Sequence, residues 1–393
     1  MTGRDCDIAI VGGGLAGGLI ALALGRARPE LAVRLIESGP RLGGNHRWSW
    51  FASDLSPAGA DLLAPFHKAE WDHGYAVAFP GLRRHLATGY RSLASPDFAA
   101  GLMRELSAGT VLTGCAVRSL DRRGIDLADG ERIAARVVID ARGPVDAAQL
   151  TGGWQVFLGR HVRTAAPHGV ARPMIMDASV AQLGGYRFVY VLPLGAHELF
   201  VEDTYYQDAP LLDRAALSAR LDAYCAHHGW GGEVVAEETG VLPVITGGDF
   251  AAFQAAHHIP GVAVVGARGG FVHPLTSYTL PFAVETAFAI AAQAGLLGDT
   301  LAELIAARAR RHWHATRFYR RLGAMLFTAA SPDQRWRVFE RFYRLPEPLI
   351  ERFYAGRSTM TDKARVLCGR PPVPLTGALR ALTTQQPSLK AAA

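Results

Sequence analysis

The opening segment DIAIVGGGLAGGLIALALG, Asp7 to Gly25, constrains the fold of this chain more than any other stretch. Ile8 to Val11 reads as a buried strand, Gly12-x-Gly14-x-x-Gly17 follows, and an Ala/Leu-rich helix comes next. Each glycine has a physical task. Gly12 makes the tight turn and Gly14 lets a pyrophosphate approach the backbone. Gly17 lets helix and strand pack closely, with the phosphates at the positive end of the helix. A second strand, LAVRLIE, ends at Glu37, and 37 − 17 = 20 residues separate it from the last glycine. A carboxylate at that distance can accept hydrogen bonds from both hydroxyls of an adenosine ribose. An ordinary glycine-rich turn leaves Glu37 unexplained, so the opening predicts a dinucleotide-binding unit. Ile8 to Gly25 is also uncharged, but its glycines suit strand, turn and helix better than a continuous membrane-crossing helix.

Two later segments favour FAD over NAD. RVVIDARG, Arg136 to Gly143, is a buried strand ending at Asp140 and a small-residue turn; it follows a hairpin, GIDLADGERIAA, with Asp129-Gly130 as the turn. GVAVVGARGGFVHP, Gly261 to Pro274, is a third strand followed by glycines, more than a hundred residues later. Flavoproteins that resemble the aromatic hydroxylases have this order, and their last strand usually ends Gly-Asp. Gly266-Ala267 departs from that pattern, so Gly266, Gly269 and Gly270 are expected to offer backbone contact only. With Gly12, Gly14, Gly17, Glu37, Arg47 and Asp140 they form the candidate cofactor set. No second nicotinamide fingerprint is visible, so a reductant is expected to bind transiently or to act upstream.

The 393 residues allow two domains, and with 49% apolar and only 19% charged residues a large core or an apolar binding surface is available. The expected fold is α/β: a Rossmann-like FAD-binding domain of aromatic-hydroxylase-like architecture, an inserted antiparallel β-sheet substrate lobe, and a helical C-terminal region. The expected boundaries are 1–150 and 256–298 for the FAD-binding parts, 151–255 for the lobe and 299–393 for the helices. WQVFLGRHV, MIMDASV, RFVYVLPL and HELFVEDTYY read as successive lobe strands. A helix is expected from Ala209 to His228, then the strand EETGVLPVI, and later a helix from Pro281 to Leu297. In LFVEDTYYQD, strand alternation puts Phe200, Glu202, Thr204 and Tyr206 on one face and Leu199, Val201, Asp203 and Tyr205 on the other. Only one of the two acids can enter a given cavity; a solvated acid pair on an edge strand is the plain alternative.

The basic aromatic helices RHWHATRFYRRLGAMLF and RWRVFERFYRLPEPLIERFY suit either packing on the core or lying in a membrane interface. A frayed tail is expected after Pro371. The four cysteines show no metal or disulfide spacing, which suits a reducing cytosol and no metal site. The acids in MTGRDCDIAI argue against an export signal. The net charge of +6 comes without any nucleic-acid-binding signature, so no nucleic-acid partner is expected.

Four stretches together, DIAIVGGGLAGGLIALAL, GGNHRWSW, FVEDTYY and GGFVHPLTSYTLPFAVE, resemble the bacterial lycopene β-cyclases of carotenoid synthesis. They run from residue 7 to residue 285, and the missing Gly-Asp is shared with that family. The resemblance implies conversion of the acyclic ends of lycopene into β-ionone rings, giving β-carotene by way of γ-carotene. The reaction has no net redox change, yet needs reduced FAD, with NAD(P)H as the expected electron source. It also implies that Glu202, the first acid of its pair, is the catalytic acid–base group. Asp203 and His273 are supporting candidates, and for His273 a role in fixing the turn before Pro274 stands beside a proton relay. Asn45, Arg47 and Trp48 are expected to line the same crevice.

Chemistry agrees with this implication. Protonating a carbon–carbon double bond needs a carboxyl that keeps its proton, and burial among aromatic rings raises a carboxyl pKa. Ring faces also stabilise a carbocation. The alternatives are an FAD-dependent monooxygenase or reductase acting on a long isoprenoid, and a carotenoid carrier with a retained nucleotide fold. Lycopene and other acyclic-ended carotenoids have no useful aqueous concentration. The expectation is therefore a peripheral protein on the cytoplasmic face of a membrane.

Overall fold

A computed structural model describes residues 5–143, 146–368 and 387–390. The first unit forms as its glycines require. β1 (Cys6–Val11) runs into α1 (Leu15–Ala27), whose Ala/Leu surface is buried on nearly every side, and α1 returns the chain to β2 (Val33–Ile36), parallel to β1. Two strands from far along the chain extend this sheet. β7 (Arg132–Asp140) lies parallel to β1, and β13 (Val262–Val264) lies parallel to β7. Val11, Asp140 and Val264 are therefore neighbours, and the turns after them meet at the carboxyl edge of the sheet, where open α/β sheets bind ligands. The hairpin of residues 124–127 and β7 is present, with Gly130 at its turn.

The larger sheet is mixed but mostly antiparallel. It uses β3 (Arg47–Phe51) only as a neighbour, since β3 pairs with β6 (Tyr90–Ala94) in a small separate sheet. Its own strands include β4 (Tyr75–Phe79) and β5 (Leu82–Leu86). They continue with β8 (Ala147–Thr164), β9 (Met174–Asp177), β10 (Tyr186–Gly195), β11 (Glu198–Gln207) and β12 (Gly232–Gly248). The order is β12-β8-β11-β10-β9-β4-β5. The lobe is thus not made from residues 151–255 alone: β9 takes β4 as a parallel partner from the first part of the chain. That pairing joins residues about a hundred positions apart, and no local pattern announces it.

Helix boundaries differ from expectation at two places. α2 is Arg214–His227, not 209–228, because Asp213 caps it by accepting from the Ala216 N–H at 3.0 Å. Asp208 is instead paired with Arg335 at 2.7 Å. α4, Leu280–Ala291, stops before Leu297, in a run of turns around Gly295. It packs against α1 and so couples the cavity wall to the fingerprint helix.

The C-terminal helices α5 (Gly298–Ala315), α6 (Arg317–Ala329), α7 (Trp336–Phe342) and α8 (Glu347–Tyr354) lay their aromatic faces on the large sheet. Tyr319, Tyr343, Phe353 and Tyr354 are buried there, and Phe339 stacks on Tyr186 with ring centroids 4.2 Å apart. Those rings are core residues and are not available as a membrane-facing stripe. Two of the arginines are buried as well: Arg335 donates to the Tyr206 and Phe327 carbonyls, and Arg320 sits 3.5 Å from the Trp313 ring. Of the tail after Pro371, residues 371–386 and 391–393 lie outside the described residues. Ser388–Leu389 are not frayed but pair with β8.

Candidate active site

β11 organises the site. Its alternation sends Phe200, Glu202, Thr204 and Tyr206 to one face, and pairing extends that face across three more strands. Glu202 lies opposite Gly159 of β8 on one side and Tyr190 of β10 on the other; Gly159 lies opposite Glu238 of β12. One row of the sheet therefore reads Glu238, Gly159, Glu202, Tyr190. Gly159 is needed for this row, since a Cβ there would overlap the Phe200 ring.

A cavity of about 240 Å³ lies over this face. Trp48, Tyr90, Phe157, Tyr190, Phe200 and Tyr278 give it aromatic walls, and Glu202, Glu238 and Arg47 are its charged or ionisable groups besides His46 and the tyrosines. Glu202 is only 8% exposed. Burial pushes its carboxyl up to about 8, with the charge of Glu238 adding to the rise. The hydrogen bond donated by Thr204 Oγ1 to Glu202 Oε1 at 2.6 Å opposes the rise without cancelling it. The balance favours the protonated form of Glu202 at neutral pH. Burial also pushes Glu238 up, to about 7, with the Arg47 guanidinium pulling the other way. Arg47 donates to Ser92 Oγ at 3.3 Å and lies 5.0 Å from the centre of the Phe200 ring, a cation–π distance.

Asp203 does not enter the cavity. Alternation turns it to the opposite face, where α2 covers the sheet, and Arg187 Nε donates to its Oδ1 at 2.7 Å. Burial raises its carboxyl, and Arg187 restrains the rise. His273 is fully buried behind the wall formed by residues 276–280. Its Nδ1 accepts the Thr276 N–H at 3.3 Å, so the ring proton is on Nε2, which donates to the Phe353 carbonyl at 3.2 Å. Burial holds its pKa down to about 3, and the nearby His312 adds to the fall. Both ring nitrogens are engaged by backbone groups, which ties the turn to the Phe353 helix. That turn presents Ser277 at φ +58, the single described non-glycine residue in the left-handed region. Ser277 Oγ donates to the Pro243 carbonyl at 2.9 Å, which holds the conformation at the cavity wall.

The cavity is joined to the fingerprint through short pieces of chain. Gly43 N–H donates to the Gly13 carbonyl at 2.9 Å, and three residues later His46 and Arg47 line the cavity. Asn45 is exposed and not in the lining; its Nδ2 donates to the Glu237 carbonyl at 3.0 Å, tying this loop to the strand that carries Glu238.

The fingerprint itself suits a dinucleotide pyrophosphate. Gly12, at φ +108, turns so tightly against Ala141 that a side chain there would collide with the backbone. A Cβ on Gly17 would overlap the Gly12 carbonyl. Gly14 differs: a Cβ there would meet nothing within 4 Å, and no side chain caps α1. The result is an open cradle at the positive end of a helix. Glu37 accepts from the Gly13 and Gly39 N–H groups at 2.8 and 2.7 Å and from Ser38 Oγ at 3.1 Å, leaving acceptor capacity for a ribose hydroxyl.

The other cofactor candidates divide. Gly266 borders Ala16 of α1, whereas Gly270 packs on Phe250 and Gly269 is folded into the turn after β13. Asp140 ends β7, but Arg142 takes both its carboxylate oxygens at 2.8 Å. The backbone at Ala141, not the Asp140 side chain, borders Gly12. Sequence reasoning did not single out Glu238, Tyr190 or Phe157. The available signal was the alternation in EETGVL, which puts Glu238, Gly240 and Leu242 on one face.

Comparison with known proteins gives the lineage. The family described as "Lycopene cyclase protein" matches residues 7–380. The chain is 46% identical to a lycopene beta-cyclase of Pseudescherichia vulneris over 97% of its own length and 98% of the relative's. It is 43% identical to one of a Paracoccus strain, over 98% of each. Among solved structures, a geranylgeranyl bacteriochlorophyll reductase-like protein of Thermoplasma acidophilum has a TM-score of 0.59 at 14% identity, covering 97% of this chain and 99% of that one. The flavin-dependent brominase Bmp2 has a TM-score of 0.61 at 14% identity, over 92% and 97%. The structural likeness establishes a flavoprotein-type fold, the sequence identity establishes descent, and the chain belongs to the lycopene cyclase family.

Proposed function

We propose that this protein is a lycopene β-cyclase in which Glu202 is the proton donor. The observation that carries the reading is a carboxyl, 8% exposed, on the wall of an aromatic cavity. Protonation of the terminal double bond of lycopene leaves a tertiary cation, the neighbouring double bond closes the ring onto it, and a proton then leaves the ring carbon. No electrons are gained or lost, so substrate and product have equal mass. Trp48, Tyr90, Phe157, Tyr190, Phe200 and Tyr278 exclude water that would capture the cation, and each ring face in contact stabilises it by roughly 0.5–2 kcal/mol.

FAD is the proposed cofactor. Gly12, Gly14 and Gly17 would hold its pyrophosphate and Glu37 its ribose, with Gly266 and the turn through Gly269 and Gly270 offering backbone contact. When bound and reduced, with NAD(P)H as the electron source, it supplies negative charge that favours a developing cation. The substrate class is lycopene and other carotenoids with acyclic ends. Such a polyene has to come from a bilayer, and no described helix is long and apolar enough to cross one. The reading is therefore peripheral attachment to the cytoplasmic face of the membrane, tested by flotation with anionic liposomes at low and high salt.

The deciding experiment supplies lycopene, FAD and dithionite without nicotinamide and resolves the pigments by chromatography. β-Carotene is expected, and Glu202→Gln is expected to abolish it while flavin remains bound. An absolute need for NAD(P)H in stoichiometric amounts, or for oxygen, would replace this reading by a redox enzyme acting on a long isoprenoid.

A further inference from the structure

We propose that Glu238 is the base of the reaction, taking the ring proton that Glu202 does not take back. The inference rests on the reading of Glu202 as the proton donor. Three features of the structure lead to it. Glu238 and Glu202 flank Gly159 in one row of the sheet with their side chains on the same face, so nothing from β8 stands between them. Two strand spacings separate their backbones, about 10 Å, and the Phe200 ring lies over Gly159 between them, so both carboxyls border the same aromatic wall of the cavity. Both line the cavity, and no other Asp or Glu does among the described residues.

The surroundings divide the labour. Arg47 is the cationic partner of this row, and its charge favours the ionised form of Glu238 and of Glu202. No described group donates a hydrogen bond to Glu238, so its oxygens are free to accept a proton from carbon. Glu202 is raised to about 8 and Glu238 to about 7, and a pair of carboxyls with separated pKa values is the arrangement that separates an acid from a base. When ionised, Glu238 also places negative charge beside the cation before the proton leaves.

The steps balance. The Glu202 O–H bond breaks and a C–H bond forms at the terminal double bond. The pair of the next double bond forms the ring bond. The ring C–H bond then breaks, its pair becomes the ring double bond, and the proton passes to the Glu238 carboxylate. Exchange with water returns a proton to Glu202 and removes one from Glu238, with no oxidant or reductant consumed in the cycle.

The test compares ring types made by the flavin-loaded, dithionite-reduced enzyme and its Glu238→Gln variant. Loss of a general base typically costs ~10²–10⁴-fold, and that fall in β-ring formation is expected with flavin still bound. The cation that remains should lose a proton elsewhere, giving ε-rings or exocyclic double bonds, or be captured by water. The ratio of ring types is read within turnover, so partial unfolding does not change it. A variant that forms β-rings alone overturns the proposal, whatever its rate. If it forms no ring at all, formate added to Glu238→Ala decides: restored β-rings support the base, and no restoration overturns it. Glu202→Gln run in parallel separates the two readings. If that variant still cyclises, the donor assignment has failed; if it is inactive while Glu238→Gln makes only β-rings, the base assignment alone has failed.

Discussion

Arg187 and Asp203 pair at 2.7 Å on the side of the large sheet turned away from the aromatic cavity, with side-chain exposures of 8% and 0%. Asp203 follows Glu202 directly in sequence, yet the two carboxyls serve different faces. Removing one partner of a buried pair leaves the other charge without compensation, at a cost of about 3–5 kcal/mol. Asp203→Ala should therefore lose stability of that order in urea unfolding, while its folded fraction cyclises at near the parent rate. A stable Asp203→Ala protein without activity would instead move the chemistry to Asp203.

Glu202 titrates in the opposite sense to a paired surface acid. Its folded pKa, about 8, lies above the usual 4.5, so the folded state holds the extra proton between these values. Stability contributed by this site is then greatest at low pH and falls as pH rises from about 4.5 to about 8, at up to about 1.4 kcal/mol per pH unit. Glu202→Gln removes that penalty. The variant should unfold at a higher temperature than the parent at pH 8, and the difference should vanish near pH 4. Turnover of the parent should fall about tenfold per unit above pH 8 as the donor loses its proton. A pH-independent difference in stability would mean that Glu202 is not protonated in the folded protein.

Gly159 offers a test of the cavity's shape. Alanine is ordinarily preferred over glycine within a strand on entropic grounds. Here the added methyl would meet the Phe200 ring, which also lies beside Arg47. Overpacking of this kind costs about 1–3 kcal/mol. Gly159→Ala should lower the melting temperature modestly and the cyclisation rate much more, because the ring can yield only by moving within the site. Glycine-to-alanine changes on exposed turns such as Gly114 should leave the rate untouched.

The parts of this molecule that depend on local sequence were readable, and those that depend on distant partners were not. The fingerprint and Glu37 follow from spacing, since a βαβ unit is a local object. The separation of Glu202 from Asp203 follows from strand alternation alone. Glu238 is different: EETGVL has no aromatic neighbour of its own, and the rings around it, Phe157 and Phe200, come from two other strands. Whether the aromatic stripes of α6 to α8 faced lipid or protein was equally undetermined by their pattern. The surface they cover belongs to Tyr186, Phe188 and Tyr206, more than a hundred residues earlier. Asp140 hydrogen-bonds Arg142, and His273 bonds the Thr276 N–H and the Phe353 carbonyl, the last from a helix 80 residues further on that no local pattern announces.

His273 provides the last test, because its two proposed roles predict different pH behaviour. Its folded pKa of about 3 is below the ordinary 6.5, so the unfolded chain binds the proton that the folded protein refuses. Stability from this site is therefore complete above about pH 6.5 and is lost as pH falls, by about 2 kcal/mol on reaching pH 5. Replacement by glutamine keeps one acceptor and one donor for the Thr276 N–H and the Phe353 carbonyl but cannot be protonated. His273→Gln should lose some stability at pH 8, where a lost or lengthened hydrogen bond costs about 1–3 kcal/mol. It should lose less than the parent between pH 6.5 and 5. Its pH–rate profile above pH 6 should follow that of the parent, since a ring that stays neutral throughout contributes no step there. A profile that changes shape in that range, with stability unaltered, would identify His273 as a proton carrier and not as the pin of the Ser277 turn.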